Sequence, residues 1–505
     1  MSLADCDSAV LPSGEDALRS LLESCLGRQR SAYHAAPVPV LVARQHDLAQ
    51  LARLLKENRS ALVDAINRDY GQRAEFETLF AEVLVALDDL RHTRRHLRRW
   101  VRPQRRAVDI LLYPLARNRV IPQPLGVVGV IVPWNFPLLL SIGPLVAIFA
   151  AGNRAMVKMS EHSRHLAELL HALSPRYFPV EKLQFFVDDG SGRLGPAFSA
   201  LPFDHLLFTG SAATGRAVMT QAARNLTPVT LELGGKSPAI IAPDFPLQTA
   251  AERILWVKLL NAGQICTTVD YLYLTEERVE AFVDHARRLV AARYPTPVSA
   301  TATAAATATA TALDNSDYTA IISPSAWQRL VDTLEDARRK GARVIELMPG
   351  TRPDARTRKF PPYLVLGVTQ DMRLMQEEIF GPILPIKTYR TPQDIVCELQ
   401  GRDRPLALYP FTHDRALQQF YLAHLPSGGV SINETLLHVA QQDLPFGGIG
   451  ASGMGQYHGH EGFLTFSQLC PVFYQGPLSP IQWLFQPPYG RRARVLLEWL
   501  LKLKG

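Results

Sequence analysis

His205-Leu-Leu-Phe-Thr-Gly-Ser-Ala-Ala-Thr-Gly215 is a short apolar run that opens into a glycine-bounded turn, followed by helix formers through Ala223. An apolar stretch of this length, closed by Gly and Ser, reads as a buried strand feeding a helix. The unit recurs on either side. Val127-Val-Gly-Val-Ile-Val132 reads as a fully buried strand with a buried helix, Leu138 to Ala151, behind it. Ala155-Met-Val-Lys158 and Lys182 to Val187 read as further strands, with a helix from Ser163 to Leu173 between them. Strands alternating with helices imply a parallel sheet covered on both faces, the architecture of dinucleotide-binding domains, although such a fold alone does not prove a dinucleotide.

A second α/β stretch follows. Val229-Thr-Leu-Glu-Leu233, Pro238-Ala-Ile-Ile-Ala242 and Tyr271-Leu-Tyr-Leu274 are strand-like, and a helix covers Leu247 to Leu260. The α/β pattern resumes from Phe380 to Gly455 and ends in glycine-rich Pro445-Phe-Gly-Gly-Ile-Gly-Ala-Ser-Gly-Met-Gly455. Upstream, Leu48, Leu51, Leu54, Leu55, Leu79, Val83, Leu87 and Leu90 repeat at helical spacing. A chain of 505 residues is long for one core, so two or three domains are expected.

Composition excludes several classes. With 47% hydrophobic and 20% charged residues the chain is well outside the disordered range. The net charge of +7 is a modest excess, partly gathered between Arg91 and Arg106. No recognition motif accompanies that cluster, so a solvated helix end is expected and nucleic acid is not. Five cysteines, Cys6, Cys25, Cys266, Cys397 and Cys470, are too scattered for a disulfide framework or a metal site. They fit a reducing, cytoplasmic compartment, and an N-terminus carrying Asp5, Asp7, Glu15 and Asp16 has no apolar core for a signal peptide.

Val120 to Asn153 carries no charge and is long enough to cross a bilayer, but Pro122, Pro124, Pro133, Pro137 and Pro144 would leave backbone groups unsatisfied in lipid. A buried strand and helix are the better reading. Ser299 to Ala312 is almost pure Ala and Thr and reads as a surface insertion without chemistry. The final stretch, Arg491 to Lys504, reads as a basic helix with a wide apolar stripe. It suits either peripheral contact with an anionic membrane or docking on the protein itself or a partner subunit.

Four motifs occur in order: Pro133-Trp-Asn-Phe-Pro137, Leu231-Glu-Leu-Gly-Gly-Lys-Ser-Pro238, Asn261-Ala-Gly-Gln-Ile-Cys266 and Glu377-Glu-Ile-Phe-Gly-Pro382. The set resembles the NAD(P)-dependent aldehyde dehydrogenase superfamily over residues 45–470. The ending Leu444 to Gly459 resembles the class 3 and fatty aldehyde branch, with bacterial coniferyl aldehyde dehydrogenases as the nearest type. The resemblance implies an α/β fold with a Rossmann-type cofactor domain, a second α/β catalytic domain and a small β oligomerisation hairpin. On that basis residues 1–107 and 122–231 form the NAD-binding domain, and 232–430 the catalytic domain with the insertion at 299–312. Residues 108–121 and 431–470 form oligomerisation elements, and 471–505 a tail.

The resemblance also assigns roles that suit the chemistry. Oxidising an aldehyde to an acid requires a nucleophile, and a thiolate attacks readily and later leaves from a thioester, so Cys266 is expected to be catalytic. A buried structural cysteine is the plain alternative. Asn135 would donate to the oxyanion, together with the Cys266 backbone N–H, or else merely cap the following helix. Glu232 would activate the hydrolytic water, with its pKa raised by an apolar setting, or else pair with Lys236. Lys158 and Glu161 match positions that hold the adenosine ribose, and Met159 departs from the usual proline or small residue between them. A carboxylate at Glu161 favours NAD⁺ over NADP⁺, with NADP⁺ use left open.

Gly210, Ser211 and Gly215 would bring backbone to the pyrophosphate, although a tight strand–helix turn also explains them. Glu378 would hold the nicotinamide ribose, and Phe380 would pack beside it or simply in the core. Phe446, Tyr457 and His458 are candidates for the aldehyde pocket. The expected activity is oxidation of an aromatic, coniferyl-type aldehyde or a medium- or long-chain aliphatic one, by a homodimer. An acylating enzyme passing the thioester to coenzyme A would have no need of Glu232. A non-catalytic relative would have no need of Cys266, Glu232 and Asn135 together.

Overall fold

The computed structural model describes residues 11–295, 313, 315–479, 482 and 486–504, so the Ala/Thr insertion lies outside the described residues. The chain opens with helices Glu15–Ala35, Leu41–Glu57 and Arg59–Tyr70. In the first, Leu18, Leu21, Leu22, Cys25 and Leu26 form one buried stripe against Val127 and Ile131. Helix Val85–Trp100 follows and leads to a ribbon of β1 (Gln104–Arg106) and β2 (Arg117–Pro124), paired antiparallel.

The first sheet takes β3 (Val127–Ile131), β4 (Arg154–Lys158), β5 (Leu183–Phe186), β6 (His205–Thr209) and β7 (Val229–Glu232). These lie parallel in the order β7-β6-β3-β4-β5. β3 is buried along its whole length, as an apolar central strand should be. The charge-free segment is divided between β2, β3 and helix Leu139–Ala151, and among the described residues no helix is long and apolar enough to cross a membrane.

The second sheet takes β8 (Pro238–Ile241), β9 (Tyr271–Leu274), β10 (Arg343–Glu346), β11 (Tyr363–Leu366), β12 (Ile383–Thr388), β13 (Ala407–Phe411) and β14 (Gly429–Val430). Their order is β10-β11-β12-β9-β8-β13-β14, parallel except for β10. β15 (Gly453–Met454) then returns to pair antiparallel with β7, and β16 (Ser467–Tyr474) pairs along the whole of β2. Helix Arg491–Lys504 closes the chain. Leu500 and Ala493 are buried, Lys504 reaches Asp109, and Val495, Leu497, Trp499, Leu501 and Leu503 remain exposed.

Candidate active site

β7 ends at Glu232 and β8 begins at Pro238, so the C-terminal edge of the first sheet adjoins the N-terminal edge of the second. Strand order in the first sheet reverses between β3 and β6, and a parallel sheet binds its ligand outside the strand ends at that reversal. Residues 132–136 after β3, Lys158 at the end of β4, residues 209–211 after β6 and Glu232 at the end of β7 all emerge there. From the second sheet come the turn before β9, with Cys266, and the segment before β12, with Glu378 and Phe380.

The turn before Cys266 is strained. Asn261, Ala262 and Gly263 have φ of 51°, 50° and 75°, a left-handed run that costs on the order of 1–2 kcal/mol for each residue bearing a Cβ. Its surroundings hold it in place. Gln264 Nε2 donates to the carbonyls of Asn261 (2.9 Å) and Ala320 (3.1 Å), and its Oε1 accepts from Ile322 N (3.0 Å). The Asn261 N–H donates to Glu77 Oε1 (3.0 Å), and a Cβ on Gly263 would lie 2.5 Å from the Gly381 carbonyl oxygen. Cys266 is a free, partly exposed thiol. Burial, then Glu378, then Glu232, push it up to about 12, so at neutral pH it rests protonated.

Asn135 is fixed from behind. Its carbonyl oxygen accepts three hydrogen bonds, from Tyr70 Oη (2.9 Å), Asn261 Nδ2 (3.1 Å) and Arg73 Nη1 (3.2 Å). Its own Nδ2 donates to the Gln264 carbonyl at 3.3 Å, which leaves the second amide hydrogen available. Asn135 does not cap the next helix. That helix begins at Leu139, and Glu82 Oε2 accepts from the N–H groups of Leu138 (2.7 Å) and Leu139 (3.1 Å). The other Glu82 oxygen forms a fully buried ion pair with Arg73 (2.9 Å). Sequence periodicity does not single out Tyr70, Arg73, Glu77 or Glu82, because isolated polar residues carry no spacing signal.

Glu232 is 2% exposed, and neither carboxyl oxygen has a hydrogen-bond partner. Burial raises its carboxyl well above the ordinary range. It forms no pair with Lys236, whose Nζ turns to Asp270 and to the carbonyls of Leu374 (2.8 Å) and Glu377 (2.9 Å). Glu378 is half-buried. The Gly235 N–H holds its carboxylate, Oε1 is unpartnered, and burial with Asp270 pushes it up to about 8. A Cβ on Gly234 would collide with that carboxylate. Phe380 has φ of 48° and sets its ring edge-on to Trp134 at 5.4 Å.

At the far end of the crevice, Lys158 Nζ lies 2.7 Å from Asp188 and 3.8 Å from Glu161. Burial alone would raise the Glu161 carboxyl, but its own N–H, Lys158 and His162 hold it below the usual range. Met159 is buried in the core and its N–H bonds the Phe186 carbonyl (3.1 Å), so the departure at this position leaves the strand edge intact. Asp188 is an addition, signalled only by the polar Asp188-Asp189-Gly190 that ends an apolar strand. Ser211 caps helix Ala212–Ala223 through Thr214 N (3.2 Å). A Cβ on Gly210 would press on Phe208 (2.6 Å), and one on Gly215 on Leu233 (2.7 Å).

The crevice fits a nicotinamide dinucleotide. Two buried atoms without partners, Thr209 Oγ1 and Glu378 Oε1, lie at the strand ends that border it, and the capped helix Ala212–Ala223 starts directly after β6. Cys266, Asn135 and Glu232 line one cavity with Phe446, Tyr457 and His458. Lys158, Glu161, Gly210, Ser211 and Gly215 lie outside that cavity, along the crevice.

A thiol set beside a dinucleotide crevice is the combination a cysteine-dependent dehydrogenase requires. Residues 23–472 match the aldehyde dehydrogenase family, and the chain belongs to that family. It is an NAD(P)-dependent oxidoreductase that oxidises aldehydes. It is 46% identical to the probable coniferyl aldehyde dehydrogenase of Pseudomonas aeruginosa, over 97% of this chain and 98% of that one. It is 42% identical to the coniferyl aldehyde dehydrogenase of another Pseudomonas, over 95% and 96% of the two chains. The substrate-bound structure of Staphylococcus aureus AldH superposes with a TM-score of 0.86 at 30% identity, covering 95% of this chain and 99% of that one.

Proposed function

We propose that the enzyme oxidises aromatic, coniferyl-type aldehydes, with Cys266 as nucleophile, Asn135 as oxyanion donor and Glu232 as the base for hydrolysis. What carries the reading is Glu232: a carboxyl with both oxygens unpartnered, in the same cavity as the thiol. The Cys266 sulfur adds to the aldehyde carbon as its proton leaves for Glu232. The resulting oxyanion is held by Asn135 Nδ2 and the Cys266 N–H, donors of a kind worth ~10²–10³ in rate each. Bound NAD(P)⁺ supplies the hydride acceptor that lets the adduct become a thioester on Cys266. Glu232 releases that first proton to solvent and then takes a second from water as the water adds to the thioester carbon. The C–S bond breaks, Glu232 returns its proton to the Cys266 thiolate, and the acid departs.

Lys158, Glu161, Gly210, Ser211, Gly215, Glu378 and Phe380 would hold the cofactor, Glu161 at the adenosine ribose and Glu378 at the nicotinamide ribose. The Glu161 carboxylate would repel a 2′-phosphate and so favour NAD⁺. Similarity to two coniferyl aldehyde dehydrogenases and an apolar, aromatic-walled cavity support the substrate class. The acylating alternative has no use for Glu232. The exposed outer edge of β16, with Leu469, Phe473 and Tyr474, supports a homodimer through the ribbon. The apolar stripe of helix Arg491–Lys504 is the surface for peripheral membrane contact, tested by liposome co-sedimentation of a chain ended at Gly490.

The test of the function is kcat/KM over cinnamaldehydes, benzaldehydes and C6–C12 alkanals with both cofactors. Cinnamaldehydes with NAD⁺ should give the highest values. Alkanals turned over tenfold better would refute the substrate class.

A further inference from the structure

We propose that Asp89 is a specificity-determining residue whose carboxylate accepts a hydrogen bond from a hydroxyl on the ring of the aldehyde, at the end remote from the carbonyl held at Cys266. This rests on the aromatic-aldehyde reading above and deepens it to ring-hydroxylated substrates.

Asp89 lies on helix Val85–Trp100 and lines the same cavity as Cys266, Asn135 and Glu232. It is 6% exposed, and among the described residues no cation pairs with it. That sets it apart from Glu82, Asp188 and Asp270, each buried beside its own Arg or Lys. Its Oδ1 accepts one hydrogen bond, from Thr93 Oγ1 at 3.3 Å. Its other oxygen has no protein partner, and the residue lines the cavity. A lone buried carboxylate costs several kcal/mol and lowers stability unless something completes its hydrogen bonding. Burial pushes this one up to about 7, with Thr93 opposing and Asp88 adding to the rise.

Position and surroundings define what would complete it. Tyr457 lines the same cavity, and Glu232, Cys266 and Asp89 all act on its side chain. A ring lying along Tyr457 with its carbonyl at Cys266 would then present its far substituent to Asp89. The cavity walls include Phe80, Phe136, Trp256 and Phe446. They suit a flat aromatic body, and aromatic partners favour offset or edge-on contact. A neutral phenol hydroxyl supplies the single donor that Asp89 lacks without the desolvation that a buried ammonium would demand.

The experiment uses the full-length enzyme and measures kcat/KM for 4-hydroxycinnamaldehyde and for 4-methoxycinnamaldehyde, in wild type, Asp89→Leu and Asp89→Asn. The methoxy compound keeps the ring and loses the donor, so the ratio between the two reports the hydrogen bond rather than general damage. Wild type should favour the hydroxyl compound by about ten- to a hundredfold, as a hydrogen bond to a charged acceptor implies. The ratio should fall to near one in Asp89→Leu and lie between in Asp89→Asn, which retains an acceptor and the shape should the leucine variant fail to fold. A ratio unchanged in both variants, or a wild-type ratio near one, would overturn the role of Asp89. So would preferential loss of a trimethylammonium-bearing aldehyde in Asp89→Leu. Failure of wild type to oxidise either cinnamaldehyde, while oxidising alkanals, would instead overturn the aromatic-aldehyde reading itself.

Discussion

Replacing Tyr70 by Phe removes one of the three donors on the Asn135 carbonyl and nothing that touches the cavity. The deleted bond is 2.9 Å long, the shortest of the three, and Asn261 Nδ2 loses its contact with the same hydroxyl (3.2 Å) but keeps its own bond to Asn135. A neutral buried hydrogen bond is worth about 1 kcal/mol, so stability should fall by that order. If all of it reached the transition state through a displaced Asn135 amide, kcat would fall about fivefold. Asn135→Ala removes the donor altogether and should lower kcat by ~10²–10³. Steady-state NADH formation gives kcat and KM for wild type, both single variants and the double variant. Tyr70 acts through Asn135, so its effect should vanish in the Asn135→Ala background while KM for the aldehyde stays level throughout. A fivefold loss that persists in the double variant, or one carried by KM, would refute the reasoning.

Two further outcomes follow from the titrating groups. His205 is buried and His438 and His458 are half-buried, and desolvation lowers each to about 4, so between pH 6.5 and 4 the unfolded chain takes up protons that the folded one refuses. Stability present above pH 6.5 should therefore drain away across that window, by on the order of 3 kcal/mol per histidine, in urea titrations at stepped pH. Glu161→Gln removes the carboxylate expected to repel a 2′-phosphate, so the kcat/KM ratio of NADP⁺ to NAD⁺ should rise about tenfold. An unchanged ratio would remove Glu161 from cofactor discrimination.

The alternating strands were legible because full burial leaves nothing but apolar residues in them: Tyr271–Leu274 was read with its observed ends, and Val127 to Val132 ran one residue past β3. The sequence reading has no helix at Glu15–Ala35, although Leu18, Leu21, Leu22, Cys25 and Leu26 keep helical spacing there. The motifs carried Cys266, Asn135 and Glu232 into one cavity. The groups behind them were not legible. Tyr70 and Arg73 meet Asn135 only after residues about 60 positions apart are folded together, and Asp188 pairs with Lys158 across neighbouring strands. Such partners are set by tertiary contact and leave no periodic trace. The strain at Asn261 and Ala262 was equally hidden, since neither residue type demands a left-handed backbone.

The central claim is a thioester on Cys266 that Glu232 clears. It is tested most directly by intact-protein mass spectrometry of Glu232→Gln, quenched after mixing with NAD⁺ and a cinnamaldehyde. The account predicts one burst of NADH per active site, little turnover thereafter, and an acyl adduct that maps to Cys266 and is absent from Glu232→Gln/Cys266→Ser. Full steady-state turnover of Glu232→Gln with no adduct would contradict it.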